Sequence, residues 1–394
     1  MSQMKSYSFQ GKRAIIRVDF NVPLHKETLE VQDDKRIKAA LPTIKWVLNH
    51  GGSVVLLSHF GRPKNGPEDR FSLRHVFGRL QDLLEAPLGF SATLEEGILR
   101  SKELIAGEVL LLENVRFFEG ETDNSSSLSA EFAKLGDCFI NDAFGSAHRA
   151  HSSTAGIASF FPNDRMMGFL MEEELNNAQR VLSNPSRPFT AIIGGAKVSD
   201  KMLIIENLLS IASDIIIGGG MAYTFAKALG GQIGNSLVEE DRLENVKTIL
   251  SKAKQLGVKL HLPQDSVIAD SFSADALTQI TSSHLIPEGW MGLDIGPNSI
   301  DDFKKVILSS KTVLWNGPMG VFEWGPFSLG TRNIALAVAE ATALGAYSLI
   351  GGGDSASAIA QFELLDRVSY VSTGGGALLE LFEGKELPGI KALG

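Results

Sequence analysis

Cysteine is almost missing from this chain: Cys138 is the single one in 394 residues. No intrachain disulfide can form, and a reducing compartment is favoured. Cys138 stands in the apolar run Asp137-Cys138-Phe139-Ile140, which reads as a buried strand, so a core thiol is expected there and not a nucleophile. Positive charge is also in deficit. Lys and Arg total 37 against 46 Asp and Glu, for a net charge of −9. A chain so balanced offers no broad basic face, and nucleic acid is not expected as a partner. No apolar run approaches the length that spans a membrane, and Met1 to Phe20 lacks the basic-then-apolar pattern of a signal peptide. The chain is expected to be cytoplasmic, with no membrane partner.

Several catalytic signatures are absent as well. No Gly-x-x-x-x-Gly-Lys-Ser/Thr loop occurs, which excludes an ordinary P-loop enzyme. Nothing resembles a hydrolase nucleophile–base pair, and no His/Cys cluster has zinc spacing. His148 and His151 are three apart with no third ligand nearby, so they read as packing or substrate contacts. No internal repeat and no low-complexity tract is present.

What is present is alternation. Short apolar runs (Ala14 to Val18, Val54 to Leu57, Val109 to Leu112, Cys138 to Ile140) alternate with amphipathic stretches such as Leu73 to Leu84. A second series follows from Thr190 to Val371, with helical patterns at Met202 to Ile211, Leu243 to Leu256 and Ile334 to Leu344. This pattern predicts an α/β protein of two doubly wound, Rossmann-like parallel-sheet domains. Ser72 and Asp241 read as helix N-caps, and Pro42 as a point where its helix kinks or begins late. Charged residues from Phe169 open a helix that Asn184-Pro185-Ser186-Arg187-Pro188 then breaks, a hinge helix with a stiff exit. The expected organisation is a first domain at 1–168, a connecting segment at 169–187, a second domain at 188–375, and a tail at 376–394 that packs back towards the first.

Open parallel sheets bind ligands outside the carboxyl ends of their strands. In the first half those ends carry cations and hydrogen-bonding groups: Arg17-Val18-Asp19-Phe20-Asn21, Ser58-His59-Phe60-Gly61-Arg62, Glu113-Asn114-Val115-Arg116 and Asn141 to His151, which includes Arg149. Arg36 follows shortly after the first. One such arginine is ordinarily a surface ion pair, but several at successive ends suit bidentate capture of a carboxylate or phosphate. The second half uses glycine instead, in Gly194-Gly195-Ala196-Lys197, Gly218-Gly219-Gly220, Asn316-Gly317-Pro318 and Gly351-Gly352-Gly353-Asp354-Ser355. Bare backbone followed by a helix start accommodates phosphate. Gly351-x-Gly353-x-x-Ala356 matches a dinucleotide fingerprint, yet no acidic residue follows at the required spacing. Asp354 would repel a bare pyrophosphate, which favours a magnesium nucleotide over NAD. An NAD-dependent dehydrogenase and a hinged metabolite-binding protein remain as rival readings of this pattern.

Six segments in order, Arg17 to Pro23, Ser58 to Pro63, Asp142 to His151, Gly194 to Lys201, Trp315 to Glu323 and Gly351 to Ser355, resemble the phosphoglycerate kinase family. The resemblance covers essentially the whole chain. It implies reversible phosphoryl transfer between 1,3-bisphosphoglycerate with ADP and 3-phosphoglycerate with ATP, by a monomer whose hinge closes on its substrates. It further implies that Asp19, Asn21, His59, Arg62, Arg116 and Arg149 bind the acid, with Phe20, Phe60 and Gly61 in the same loops. Arg36 and Lys197 would act on the phosphoryl group in flight. Lys201, Glu323 and the turn Gly352, Gly353, Asp354 and Ser355 would hold the nucleotide, with Mg2+ on Asp354, while Gly219, Gly220, Gly292 and Asn316 would line its pocket. His75 and Leu378 depart from the family pattern, where proline and a smaller residue are usual.

Overall fold

The computed structural model describes residues 3–64 and 66–394. The backbone divides into two compact units, one holding the chain up to Asn176 together with Glu386–Gly394, the other Asn177–Lys385. The division falls inside the helix Phe169–Leu182.

The first unit is built on β1 (Arg13–Arg17), β2 (Ser53–Leu57), β3 (Leu88–Ser91), β4 (Val109–Leu112), β5 (Cys138–Asn141) and β6 (Arg165–Met167). They form a six-stranded sheet in the order β3-β4-β2-β1-β5-β6. Every neighbouring pair is parallel. Strand side chains alternate between two cores because the pleat has period two. Ile16, Val54, Leu56 and Ile140 pack with Ile37, Ile44 and Val47 of the helix Lys35–Asn49. Ile15, Val55, Leu110 and Phe139 pack on the opposite face with Phe132 of the helix Ser126–Ala133. Cys138 belongs to the first core, and burial pushes its thiol up to about 12, far from a reactive thiolate.

The second unit repeats the plan with β7 (Phe189–Ile193), β8 (Asp214–Ile217), β10 (Lys259–His261), β15 (Thr312–Asn316), β16 (Tyr347–Gly351) and β17 (Tyr370–Val371). Its six-stranded parallel sheet has the order β10-β8-β7-β15-β16-β17. Between β10 and β15 the chain adds an antiparallel sheet of β11 (Asp265–Ala269), β12 (Thr278–Ser282) and β14 (Met291–Ile295). A short parallel pair joins β9 (Gln232–Ile233) to β13 (Leu285–Ile286). Each large sheet winds in both directions from its middle, β1 to β2 against β5 to β6, and β7 to β8 against β15 to β16. The crevices between β1 and β5 and between β7 and β15 are therefore the places where ligands bind in such sheets.

Three local expectations need correction. Asp241 does not cap a helix: it lies in the 3-10 turn Glu240–Arg242, and the helix Leu243–Leu256 starts without a side-chain cap. Ser72 stands one residue before the N-cap of Arg74–Leu84, although its Oγ still accepts from the Arg74 amide at 3.1 Å. Pro42 does not delay its helix, which starts at Lys35 and continues through the proline to Asn49, so of the two expected effects the late start does not occur. One lost intrahelical bond is outweighed there by burial of Ile37, Ala40, Ile44 and Val47.

The carboxyl terminus also differs in detail from the expected tail at 376–394. Residues up to Lys385 stay with the second unit, where Leu378 is buried against Gly351, whose missing Cβ makes room for it. Only Glu386–Gly394 joins the first unit, with the Gly389 amide donating to Ala147 O at 2.8 Å and Asn141 Nδ2 donating to Gly389 O at 3.3 Å. The other departure, His75, places Nε2 2.8 Å from Asp69 O. No helix among the described residues is long and apolar enough to cross a membrane.

Asp265 caps the helix Pro297–Leu308, accepting from the amides of Asn298 and Ser299 at 3.0 and 2.8 Å and from the Ser299 hydroxyl at 2.6 Å. Asp265→Ala is expected to cost about 1–3 kcal/mol, read as a lower urea midpoint with an unchanged slope. An unaltered midpoint would mean that the cap contributes nothing.

Candidate active site

The crevice between β1 and β5 is floored by Arg17, the last residue of β1, which is completely buried and lies in register with Asn141. A guanidinium so placed needs a partner at each nitrogen, since burying a charge costs several kcal/mol. Its Nε donates to Ser153 Oγ at 2.9 Å, another nitrogen donates to Val18 O, and a third contacts His59 Nδ1 at 3.2 Å. Behind Ser153 stands the buried carboxylate of Glu121, 2.6 Å from the Ser153 hydroxyl.

The loops after the neighbouring strands are stitched to one another. Asn21 Oδ1 accepts from the Gly61 amide at 2.8 Å, and Phe20 N donates to Ser58 Oγ at 2.9 Å. Asn114 Oδ1 accepts from Phe60 N at 3.0 Å and Arg116 N at 3.1 Å, while the Arg116 guanidinium donates to Gly61 O. Gly61 must be glycine: its φ is +56°, and a Cβ would enter the Phe71 ring. Arg36 NH1 donates to Asn21 O at 2.8 Å and pairs with Asp19 at 3.2 Å.

The electrostatics of this face favour an anion. Burial pushes Arg116 down to about 10, reinforced by Arg17 and Arg149. Burial likewise takes His151 down to about 4, again helped by Arg116, Arg17 and Arg149. Cations that disfavour one another's charge are the mark of a site waiting for an anion. Arg116 Nε is buried with no hydrogen-bond partner, and Arg62 is exposed with no carboxylate partner among the described residues. Burial would raise Asp19, but His59, Arg36, the Asn21 amide and Arg17 outweigh it and hold the carboxylate below its ordinary value. Burial takes His59 down to about 3, so its ring is neutral at pH 7.

In the second unit the crevice between β7 and β15 is closed by backbone alone. A Cβ on Gly194 would strike the carbonyls of Pro318 and Gly317, and Gly317 sits at φ +93°. Gly219, at φ +69°, lies against the backbone of Gly195, while Gly220 adjoins Ala196. Lys201 Nζ donates to Asn316 Oδ1 at 2.6 Å, and Asn316 Nδ2 donates to Gly351 O at 2.7 Å. Burial lowers Lys201, against the opposing pull of Asp200, Asp354 and Glu383. Gly352, at φ +93°, leads into the helix Gly353–Gln361, and Ser355 Oγ is fixed by the Gly317 amide at 2.6 Å. Gly353 and Asp354 are exposed at the first turn of that helix, as are Lys197 and Glu323 on their own loops. Gly292 is set differently. It lies on β14, where the space of its missing Cβ is taken by the Tyr223 hydroxyl, so packing requires glycine there.

Asp19, Asn21, Arg36, Gly61 and Arg116 thus form one bonded cluster in the first unit, with His59 held beside it by Arg17. Lys201, Asn316 and Ser355 form another in the second. Glu121 and Ser153 went unnoticed in the sequence reading because neither lies at a strand end, and their only signal is the structure's closure of 121 onto 153.

The family model described as Phosphoglycerate kinase matches residues 4–385. The chain belongs to the phosphoglycerate kinase family. It is 52% identical to the phosphoglycerate kinase of Roseiflexus castenholzii, covering 99% of this chain and 98% of that protein. It is 49% identical to the chloroplastic phosphoglycerate kinase of Volvox carteri, over 98% of this chain and 83% of that one. The solved phosphoglycerate kinase of Coxiella burnetii superposes with a TM-score of 0.89 at 41% identity, covering 99% of this chain and 98% of the other. The enzyme is therefore a kinase of glycolysis, and the dehydrogenase and the non-enzymatic binding protein drop out as readings.

His59 takes up a proton near 6.5 when unfolded and only near 3 when folded, so acid favours unfolding between those values. Relative to His59→Asn, the native chain is expected to lose about 1.4 kcal/mol per pH unit from pH 6.5 to 4.5, followed by urea titration. A difference that stays constant with pH would contradict a neutral, buried ring.

Proposed function

We propose that the cationic face of the first unit binds the phosphoglycerate and that the glycine-lined turns of the second bind the nucleotide. The observation that carries this division is the surplus of guanidinium charge around Arg17 and Arg116, whose mutual repulsion an incoming dianion would relieve. Asp19, Asn21, His59, Arg62, Arg116 and Arg149 hold the acid, with the backbone at Phe20, Phe60 and Gly61 shaping the loops. Asp19, a carboxylate among them, suits a hydroxyl of the glycerate. On the nucleotide side, Lys201, Asn316 and the turn Gly352–Ser355 take the phosphates, Glu323 takes the ribose hydroxyls, and Gly219, Gly220 and Gly292 shape the pocket.

The reaction needs no general base. In the direction of ATP use, a carboxylate oxygen of 3-phosphoglycerate attacks the γ-phosphorus. The bond from that phosphorus to the bridging oxygen breaks, and its electron pair leaves with ADP. The nucleophile is already anionic at neutral pH. The barrier is electrostatic, because negative charge must be held on the equatorial oxygens while two anions meet in line. Arg36 and Lys197 are assigned to that charge. Arg36 is half-exposed and tethered to Asp19 and Asn21 O, so it can exchange a carboxylate for a phosphoryl oxygen. Lys197 is exposed.

Mg2+ fits the second site by donor chemistry. Asp354 supplies one exposed hard oxygen at the turn, and no group of three potential protein ligands gathers among the described residues. A single carboxylate completed by nucleotide phosphates and water is the usual magnesium arrangement, and the bound ion would neutralise phosphate charge. In-line attack brings acid and nucleotide into contact, so hinge closure about 169–187 stays part of the proposal, with exclusion of water that would hydrolyse the acyl phosphate. A cytoplasmic monomer is the assembly proposed.

Arg36→Ala is expected to lower kcat by ~10³-fold or more, as loss of an arginine finger does. Its thermal midpoint should barely move, because a half-exposed ion pair contributes only about 0–1 kcal/mol. A coupled assay with 3-phosphoglycerate and Mg-ATP reads the rate, and near-normal turnover removes Arg36 from the mechanism. Asp354→Asn is expected to shift the magnesium dependence of the rate to higher concentration at fixed ATP. An unchanged dependence would place the ion elsewhere.

A further inference from the structure

Behind the acid site stands a buried carboxylate. Glu121 has only 1% of its surface exposed and accepts from the Ser153 amide at 3.0 Å and the Ser153 hydroxyl at 2.6 Å. With its proton committed to Glu121, that hydroxyl has only lone pairs left, and it accepts from Arg17 Nε at 2.9 Å. Arg17 in turn has no acceptor capacity. Its 3.2 Å contact with His59 Nδ1 therefore runs in one direction: the guanidinium donates and the ring nitrogen accepts. The Asp19 carboxylate is 4.0 Å from the same nitrogen, too far to accept from it. A neutral ring whose Nδ1 accepts carries its proton on Nε2, and Nε2 has no hydrogen-bond partner among the described residues.

We infer that Glu121 is a positioning residue of this enzyme: through Ser153 and Arg17 it locks His59 as the Nε2–H tautomer and so presents a fixed donor to an oxygen of the bound acid. The inference rests on the reading above that His59 faces the phosphoglycerate. The direction of each link follows from donor and acceptor count with Glu121 ionised. Burial raises Glu121, opposed by Arg17, the Ser153 hydroxyl and the Ser153 amide. As a carboxylate it can only accept, the serine hydroxyl has one proton to give, the guanidinium can only donate, and the imidazole facing that guanidinium accepts at Nδ1. All members but the ring edge are buried, so water cannot substitute for a missing link. A relay of this kind holds a donor in place before substrate arrives, which lowers the reorganisation needed on binding.

A simpler role for Glu121 would be to balance the Arg17 charge without orienting anything. Ser153→Ala separates the two, since it keeps both charges and removes the hydroxyl that links them. Ser153→Thr keeps the hydroxyl and serves as the conservative rescue. It also covers the case in which Glu121→Gln fails to fold.

The test combines ¹⁵N spectra of the His59 ring, assigned by comparison with His59→Asn, with steady-state kinetics. The wild type is expected to show the widely split nitrogen pair of a single Nε2–H tautomer. In Glu121→Gln and Ser153→Ala the pair should converge towards an exchange average, and KM for 3-phosphoglycerate should rise roughly tenfold. In both variants, kcat at saturating acid and KM for Mg-ATP should stay within about twofold, and Ser153→Thr should restore the split pair and the KM. A wild-type ring in the Nδ1–H form, or a Ser153→Ala enzyme with unchanged spectrum and KM, overturns the relay. A His59 spectrum that saturating 3-phosphoglycerate leaves untouched contradicts the substrate assignment instead, with the relay itself intact.

Discussion

The first unit depends on a buried positive charge. Arg17 ends a central strand with no exposure to water, and such a group is tolerated only where each of its nitrogens finds an acceptor. Ser153, Val18 O and His59 Nδ1 supply those acceptors, and Glu121 supplies the counter-charge behind them. The consequence spreads outward. Arg116 and His151 feel Arg17 and lose affinity for protons, and the loops carrying them are bonded to one another by Asn21 and Asn114. The face so produced has more cations than it can satisfy by itself. An anion with two charged ends is the natural complement.

For the phosphate-holding task proposed for it, the second unit offers the opposite device. No buried arginine appears at its strand ends. Instead Gly194, Gly317 and Gly219 bring the backbone together so closely that any side chain would collide. Bare amides and a helix start are thereby left at the strand ends, and one partly buried lysine, Lys201, is held by Asn316. Charged side chains suit a small acid that must be oriented by its ends. Bare backbone suits a polyphosphate that arrives with its own metal ion.

Much of this was legible in the residues. Parallel sheets followed from apolar runs such as Val54 to Leu57 and Asp214 to Ile217, because a strand covered on both faces has no polar side to display. The sites followed from what stands directly after those runs. Other features were not legible, for reasons that are also physical. β3 reads Leu88-Gly89-Phe90-Ser91 and β6 reads Arg165-Met166-Met167, edge strands too short and mixed to announce themselves. β12, with its largely exposed Thr278-Gln279-Ile280, carries no apolar stripe at all. The early start of the helix through Pro42 was not legible because local propensity counts one lost hydrogen bond and cannot count a buried helix face. Glu121 and Ser153 are 32 residues apart and silent until the fold joins them.

The central claim is that the guanidinium-rich face alone recognises the acid. Amide chemical-shift mapping with 3-phosphoglycerate in the absence of nucleotide tests it most directly. The account predicts that perturbations gather at residues 19–21, 59–62, 116 and 149–153, while 194–201 and 351–355 stay still. Shifts concentrated in the glycine turns of the second unit, with the first unit unmoved, would contradict it.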